Sequence, residues 1–454
     1  MMAHTSGLTA TSYSYILVCL LAYVGFCCFM ATMYTDETSL SIRTPLHKMP
    51  NRRFSGEHGE EICDIKHNFM FVKVHKAGGT TTTCIFQRFG YEHNLTFVLP
   101  VVKTDVGWPN FLKQEDFIPS ADGTYNVLVD HTVYHRQLLD HLMPPDTVYI
   151  SILRHPLAQL RSVFNWYHLA KKFQGLKGPD PVASFLENPK KFQIPYAHAK
   201  HAPYTHAKNF MAYDLGFPLG LSDDQSSVDE FIQKISREID LVLILEHYAE
   251  SLVLLRRMMC WTLKDILYNV VPKNGRRYRK PTTNTTTLIQ MHRQWSNVDY
   301  QLYDYFNATL WRKIQQEDQD FHQEVRHFEK VLQSTTTYCT NAIIKLPVIT
   351  NTVNATETIN GTSSGTTNER NKTAVLTWGV NETAGILTIP RTAWHDEFDV
   401  NPSLCLKLKM EWLDWAHVLK TKHKMPANVS ATVVKYPKPK TLDENLMMRM
   451  FHID

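Results

Sequence analysis

Two basic residues and an imidazole stand almost side by side in FMFVKVHKAGGTTTTCIFQRFG, residues 69–90: Lys73, His75 and Lys76. An apolar, β-rich run, Phe69 to Val74, leads into them. The pair Gly78-Gly79 and four threonines, Thr80 to Thr83, follow and open a helix-like stretch ending near Arg88. Strand, glycine turn, then helix start is an anion-binding arrangement. Backbone N–H groups and the positive end of the helix dipole point at one spot, and here Lys76 adds a full charge. The pattern is not a Walker A loop, whose lysine follows the last glycine directly before Ser/Thr, because Lys76 precedes both glycines. The plainer alternative is a strand–turn–helix junction with threonines capping the helix.

A second segment, DTVYISILRHPLAQLRSVFNWY (146–167), supplies a matching cation and hydroxyl. Thr147–Leu153 reads as a buried strand, with Arg154 at its carboxyl end, where open α/β sheets bind ligands. Pro156 suits a first helical turn. Ser162, eight residues after Arg154, falls about two turns into that helix. Such a pair can hold a second phosphate.

The two segments resemble the 5′-phosphosulfate loop and the 3′-phosphate motif of sulfotransferases that use 3′-phosphoadenosine 5′-phosphosulfate (PAPS). The chain is most similar to the Golgi galactose-3-O-sulfotransferase family. Its K-T-H-K pattern is met by Lys73-Val74-His75-Lys76 with one change, at Val74. Leu245–Trp261 (LEHYAESLVLLRRMMCW), Tyr300–Ile314 (YQLYDYFNATLWRKI) and Lys208–Gly216 (KNFMAYDLG) resemble the same family, over roughly residues 65–330 with a weaker echo at Leu404–Leu419. The resemblance implies sulfuryl transfer from PAPS to the 3-hydroxyl of a β-galactoside on a glycolipid or glycoprotein. Other acceptors, a uronic acid or hexosamine, stay open, as does a non-catalytic membrane glycoprotein. Retention of Lys76, Arg154 and Ser162 together argues against the last. A nucleotide kinase is disfavoured, since no lysine follows the glycines and no acidic Mg²⁺ motif is evident.

Sulfuryl transfer needs an in-line acceptor, cations on the leaving phosphate and a group to take the hydroxyl proton. Lys76 suits the phosphosulfate, with the backbone from Ala77 and Gly78 through Gly79, Thr80 and Thr81 cradling it. Arg154 and Ser162 suit the 3′-phosphate. Lys73 either sits beside the sulfonate or covers the sheet edge. His75 is the favoured base, with neutral-range intrinsic basicity. His131, after the apolar run Tyr125–Asp130, competes, and Asp130 could orient either ring. Trp166, Tyr167 and Tyr204 could stack on a sugar, with core packing the alternative for each. The histidine-rich Tyr196–Lys208 lines an acceptor cleft or is a solvated loop; Arg276–Lys280 closes over the 3′-phosphate or is simply exposed.

The chain has 454 residues, 43% hydrophobic and 20% charged, with a formal charge of +4. That suits one large or two medium domains and gives no reason to invoke nucleic acid. No HExxH, CxxC pair or His/Cys cluster at zinc spacing occurs, so no metal is expected.

The expected fold is α/β. Strands at Phe69–Val74, Tyr125–Asp130, Val148–Leu153 and Leu241–Leu245 alternate with helices such as Val133–Leu142 and Leu157–Ala170 in a helix-flanked parallel sheet. Residues 247–261 are apolar at helical spacing, with Arg256 and Arg257 outside the stripe. Uncharged residues 13–33 suit a transmembrane signal-anchor after a short tail, 1–12, with a cleaved signal peptide second. A stem (34–64) precedes a catalytic region (65–333). Residues 334–385, rich in Thr, Asn and Ser, read as an irregular glycosylated insertion. Residues 386–436 return to the catalytic domain, and 437–454 form a tail.

Topology has conflicting signals. Arg43, Lys48, Arg52 and Arg53 lie after the apolar run, which by charge bias alone favours a cytosolic domain. Eight sequons, at Asn94, Asn284, Asn307, Asn354, Asn360, Asn371, Asn381 and Asn428, favour the lumen. With the resemblance, they point to a type II Golgi membrane protein. Cys63, Cys84, Cys260, Cys339 and Cys405 allow two disulfides and one free thiol in an oxidising lumen, with the pairing open.

Overall fold

The computed structural model describes residues 63–101, 105–192, 204–270, 285–351, 372–381 and 383–423. The chain divides into two units, Met1–Lys48 and Met49–Asp454, and every described residue belongs to the second. The apolar run 13–33, the stem up to residue 62, Arg276–Lys280 and the tail 437–454 lie outside the described residues. Among the described residues, no helix is long and apolar enough to cross a membrane.

Four short strands make a parallel sheet in the order β2-β1-β3-β4: β1 (Phe69–Val72), β2 (Val127–Leu128), β3 (Val148–Leu153) and β4 (Leu241–Ile244). Phe69 pairs with both Val127 and Val148, and Leu153 pairs with Ile244. The strands are buried, almost entirely apolar runs, broken only by Ser151 in β3, because helices bury both faces. The chain leaves β1 first for β2 on one side and later for β3 on the other. The carboxyl ends of β1 and β3 therefore flank a crevice, the usual ligand position in such sheets.

The helices are α1 (Gly79–Glu92), α2 (Arg136–Asp140), α3 (Pro156–Trp166), α4 (Leu169–Lys172), α5 (Pro181–Glu187), α6 (Phe210–Asp214), α7 (Gln225–Glu238), α8 (Tyr248–Met259), α9 (Thr285–Trp295), α10 (Asn297–Ile314), α11 (Phe321–Ala342), α12 (Pro402–Lys409) and α13 (Trp412–Lys422). The main core surrounds the sheet. A second cluster, including Leu160, Phe164, Phe173, Phe185 and Leu288, joins α3 to α5 and α9.

Val148–Leu153 matches the expected strand, Leu241–Leu245 loses only its last residue, and three expected elements are markedly shorter. Phe69–Val74 ends at Val72, since the loop to Gly78 begins there. Tyr125–Asp130 contributes only the sheet-edge pair Val127–Leu128. Val133–Leu142 is helical only over Arg136–Asp140. The expected helix Leu157–Ala170 is interrupted at Tyr167–His168, where His168 adopts a left-handed φ of 53°.

The irregular reading of 334–385 needs correction at its ends. Helix α11 continues to Ala342 because Thr335, Cys339 and Ala342 extend its buried face. Strand β5 (Ile343–Asn351) then pairs antiparallel with β6 (Lys372–Val380). A second small pair, β7 (Leu387–Ile389) with β8 (Phe398–Val400), follows.

Arg256 also departs from expectation. It is 3% exposed and pairs with the buried Glu324. Arg257 reaches Glu317, Asp320 and Glu324. A side chain bridging two helices need not lie off the apolar stripe. Disulfides join Cys63 to Cys260 and Cys339 to Cys405, leaving Cys84 free.

Candidate active site

The loop after β1 turns sharply to start α1. Lys76 has a left-handed φ of 61°, and Gly78 one of 94° at the helix N-cap. A β-carbon at Gly78 would lie 2.7 Å from Leu245, so only glycine suits both the conformation and the space. The segment from the end of β3 into α3 holds the loop from the other side: Gln159 Nε2 donates to the His75 carbonyl (3.1 Å) and Arg154 to the Lys76 carbonyl (3.2 Å).

This corner is electropositive. No side chain caps α1 at Gly78, and no acidic residue lies in its first turn. Neither Lys76 nor Arg154 has a carboxylate ion-pair partner among the described residues. Burial, together with Arg154, pulls Lys76 down to about 8. Ser162 is half-buried two turns into α3, and Thr80 is exposed at the start of α1. Thr82 and Thr83 are structural, bonding the Tyr248 hydroxyl (2.9 Å) and the Val129 carbonyl (3.3 Å). An uncapped helix N-terminus beside two cations without acidic partners fits a bound polyanion.

One residue earlier the chemistry changes. His75 is 8% exposed, and its Nδ1 lies 2.9 Å from both carboxylate oxygens of Asp214. The His75 amide donates to the same carboxylate (2.7 Å), as does Trp108 Nε1 (3.0 Å). The carboxylate accepts the Nδ1 proton, leaving Nε2 as the basic lone pair. The ring stacks on His131 at 3.9 Å and on Phe210 at 5.0 Å, and lies 4.5 Å from Trp108. Burial, then the neighbouring His75, holds His131 well below the usual histidine range, and its Nδ1 has no partner.

Asp214 is the orienting carboxylate that the sequence reading missed. It ends α6, which Asp299 anchors to α10 by accepting the Ala212 amide (2.8 Å). Its signal lay in KNFMAYDLG, which carries Asp214, but 139 residues separate it from His75. Asp130, expected to orient an imidazole, makes no hydrogen bond to either ring. It is buried and pushed up to about 6, with Lys73 and Lys420 nearby.

Lys73 goes with Asp130. It is 2% exposed, its ammonium lies 4.1 Å above the Trp412 ring, and its stem would meet a β-carbon at Gly79 at 2.9 Å. It therefore underlies the glycine turn, packed toward α13, which favours the structural alternative for this residue.

The three aromatic candidates separate. Tyr167 packs 4.1 Å from His206, and Tyr204 stacks on Phe210 at 5.7 Å. Trp166 is 66% exposed, with the Lys76 ammonium 3.9 Å over its ring. Of the stretch Tyr196–Lys208, residues up to 203 lie outside the described residues; His206 is buried.

Comparison with known proteins accords with this geometry. The family model for galactose-3-O-sulfotransferase matches residues 3–351. The chain is 31% identical over 286 residues to human galactosylceramide sulfotransferase, covering 62% of this chain and 65% of that protein. It is 36% identical over 250 residues to mouse galactose-3-O-sulfotransferase 3, covering 54% and 56%. Human galactose-3-O-sulfotransferase 2 is 34% identical over 253 residues, covering 55% and 62%. The chain thus spans under two thirds of the length of these curated relatives. With residues 3–351 matched, the chain belongs to the galactose-3-O-sulfotransferase family.

Proposed function

We propose that this protein transfers a sulfuryl group from PAPS to the 3-hydroxyl of a terminal β-galactose on a glycolipid or glycoprotein. The observation carrying this reading is the side-by-side placement of Lys76 and Arg154, neither ion-paired among the described residues, and the Asp214-held His75.

Bound PAPS supplies the SO₃ group and leaves as PAP, its desulfated product. Lys76 and the first N–H groups of α1 bind the phosphosulfate end and stabilise charge on the bridging oxygen as the S–O bond breaks. Arg154 and Ser162 hold the 3′-phosphate. His75 Nε2 takes the acceptor proton as the new O–S bond forms, and Asp214 stabilises the resulting imidazolium. His131 stays neutral beside it, so the proton acceptor has no second cation stacked on it.

The test is incubation of the folded protein with labelled PAPS and a panel of galactosides, uronates and hexosamines. Label at the galactose 3-position is expected. Label confined to a uronate or hexosamine would move the acceptor, and no label on any acceptor would contradict the reading.

The reading includes a single-pass type II position in the Golgi membrane with the folded domain in the lumen. The disulfides Cys63–Cys260 and Cys339–Cys405 suit an oxidising compartment, and the sequons agree. Glycosidase should lower the apparent mass of the expressed chain. An unglycosylated protein cleaved by protease from the cytosolic side would contradict the topology.

A further inference from the structure

An indole left two-thirds in water is unusual in a folded core, because Trp gains more than most side chains from burial. Trp166 is 66% exposed at the last turn of α3. It follows Ser162 by four residues, so the two side chains share one helix face. The Lys76 ammonium lies 3.9 Å over the indole. That contact ties the ring to the sulfuryl end of the donor site, while Arg154 and Ser162 mark the 3′-phosphate.

We infer that Trp166 is the platform for the acceptor sugar, stacking against the apolar face of a β-galactopyranoside. The axial 4-hydroxyl of galactose leaves a continuous C–H patch on the opposite face of the ring. A flat, exposed indole matches that patch, and stacking leaves the ring-edge hydroxyls free to face the donor. Adenine is the competing occupant, since any π-face accepts a base. Lys76 decides between them: a ring over the ammonium that follows the leaving oxygen occupies the acceptor's side of the reaction. Tyr167 and Tyr204 are engaged with His206 and Phe210, which leaves Trp166 as the exposed ring of the three.

This inference rests on the proposed function, and its test separates the two. Binding of a methyl β-galactoside in the presence of PAP is measured by calorimetry for the wild-type chain, Trp166→Ala and Trp166→Phe, alongside PAP affinity and turnover. Trp166→Ala should weaken galactoside binding about 10–50-fold, as removal of an apolar face of that size would. PAP affinity should stay within about fivefold, the scale of one exposed cation–π contact. Trp166→Phe should recover most of the loss. The side chain is mostly exposed, so an unchanged melting temperature is expected and excludes misfolding. Unchanged galactoside binding in Trp166→Ala overturns the inference. So does a loss of PAP affinity as large as the loss of galactoside affinity, which would make Trp166 a nucleotide platform. A wild-type chain that binds galactoside through Trp166 yet transfers no sulfuryl group would contradict the proposed reaction and leave the platform standing.

Discussion

His75 and Lys76 are neighbours in the chain but sit in opposite environments. Lys76 faces a corner built from Arg154 and the uncapped start of α1, with no carboxylate paired to either cation among the described residues. His75 faces a neutral aromatic wall of His131, Trp108 and Phe210 with one buried carboxylate, Asp214. An acid beside Lys76 would compete with a bound anion. An acid on the far side of His75 is required, because it fixes the tautomer and stabilises the imidazolium. The left-handed turn at Lys76 lets one short loop serve both halves.

If the halves are separable in this way, substitutions should separate them. The largest effect is expected for Lys76→Ala, which damages both donor binding and charge stabilisation. Its kcat/KM should fall about 10³–10⁵-fold, in the range for losing a cation on a transferring group, and PAP affinity should fall with it. Steady-state kinetics with calorimetry checks both. A loss confined to the acceptor KM would place Lys76 in the wrong half.

Asp214→Asn should follow, lowering kcat about 10²–10⁴-fold by removing the acceptor for the His75 Nδ1 proton while leaving PAP affinity intact. If Asp214→Asn turns over normally and His131→Ala does not, the proton acceptor is His131. Arg154→Ala should raise the PAP dissociation constant about 10–100-fold, equivalent to roughly 1.5–3 kcal/mol for a charge-assisted phosphate contact. Unchanged affinity would remove Arg154 from the donor half.

The smallest effect is a pH dependence. Burial and Arg154 depress Lys76 to about 8, so it is charged below that pH and neutral above it. PAP affinity should therefore be full at pH 7 and fall by up to about tenfold per unit above pH 8. Lys76→Met should abolish that slope. A slope that persists in Lys76→Met belongs to another group.

The grouping of Lys76 with Arg154 and the start of α1 was largely legible in the sequence, because its parts are local. A glycine turn after an apolar strand and an Arg–Ser pair at helical spacing each lie within one segment. The acceptor half was less legible. His75 could be named, but Asp214 reaches it from 139 residues away, through α6 and its anchor to α10. Lys73 was left between two roles because strand alternation states that a side chain points away from its neighbours without saying what it meets. It meets Trp412 of α13, far along the chain. Trp166 was ambiguous for a related reason: helical periodicity marks a face, whereas only the packed fold shows that this face lies over Lys76. The disulfide pairing likewise needed three dimensions, with Cα separations of 5.8 and 5.2 Å deciding what five cysteines could not.

The division of labour between adjacent residues is tested most directly on His75→Ala, by measuring kcat and PAP affinity on the same folded sample. The account predicts a kcat lowered about 10²–10⁴-fold, the usual contribution of a general base, with the PAP dissociation constant unchanged. A variant that keeps normal turnover, or one that loses PAP affinity in proportion to kcat, would contradict it.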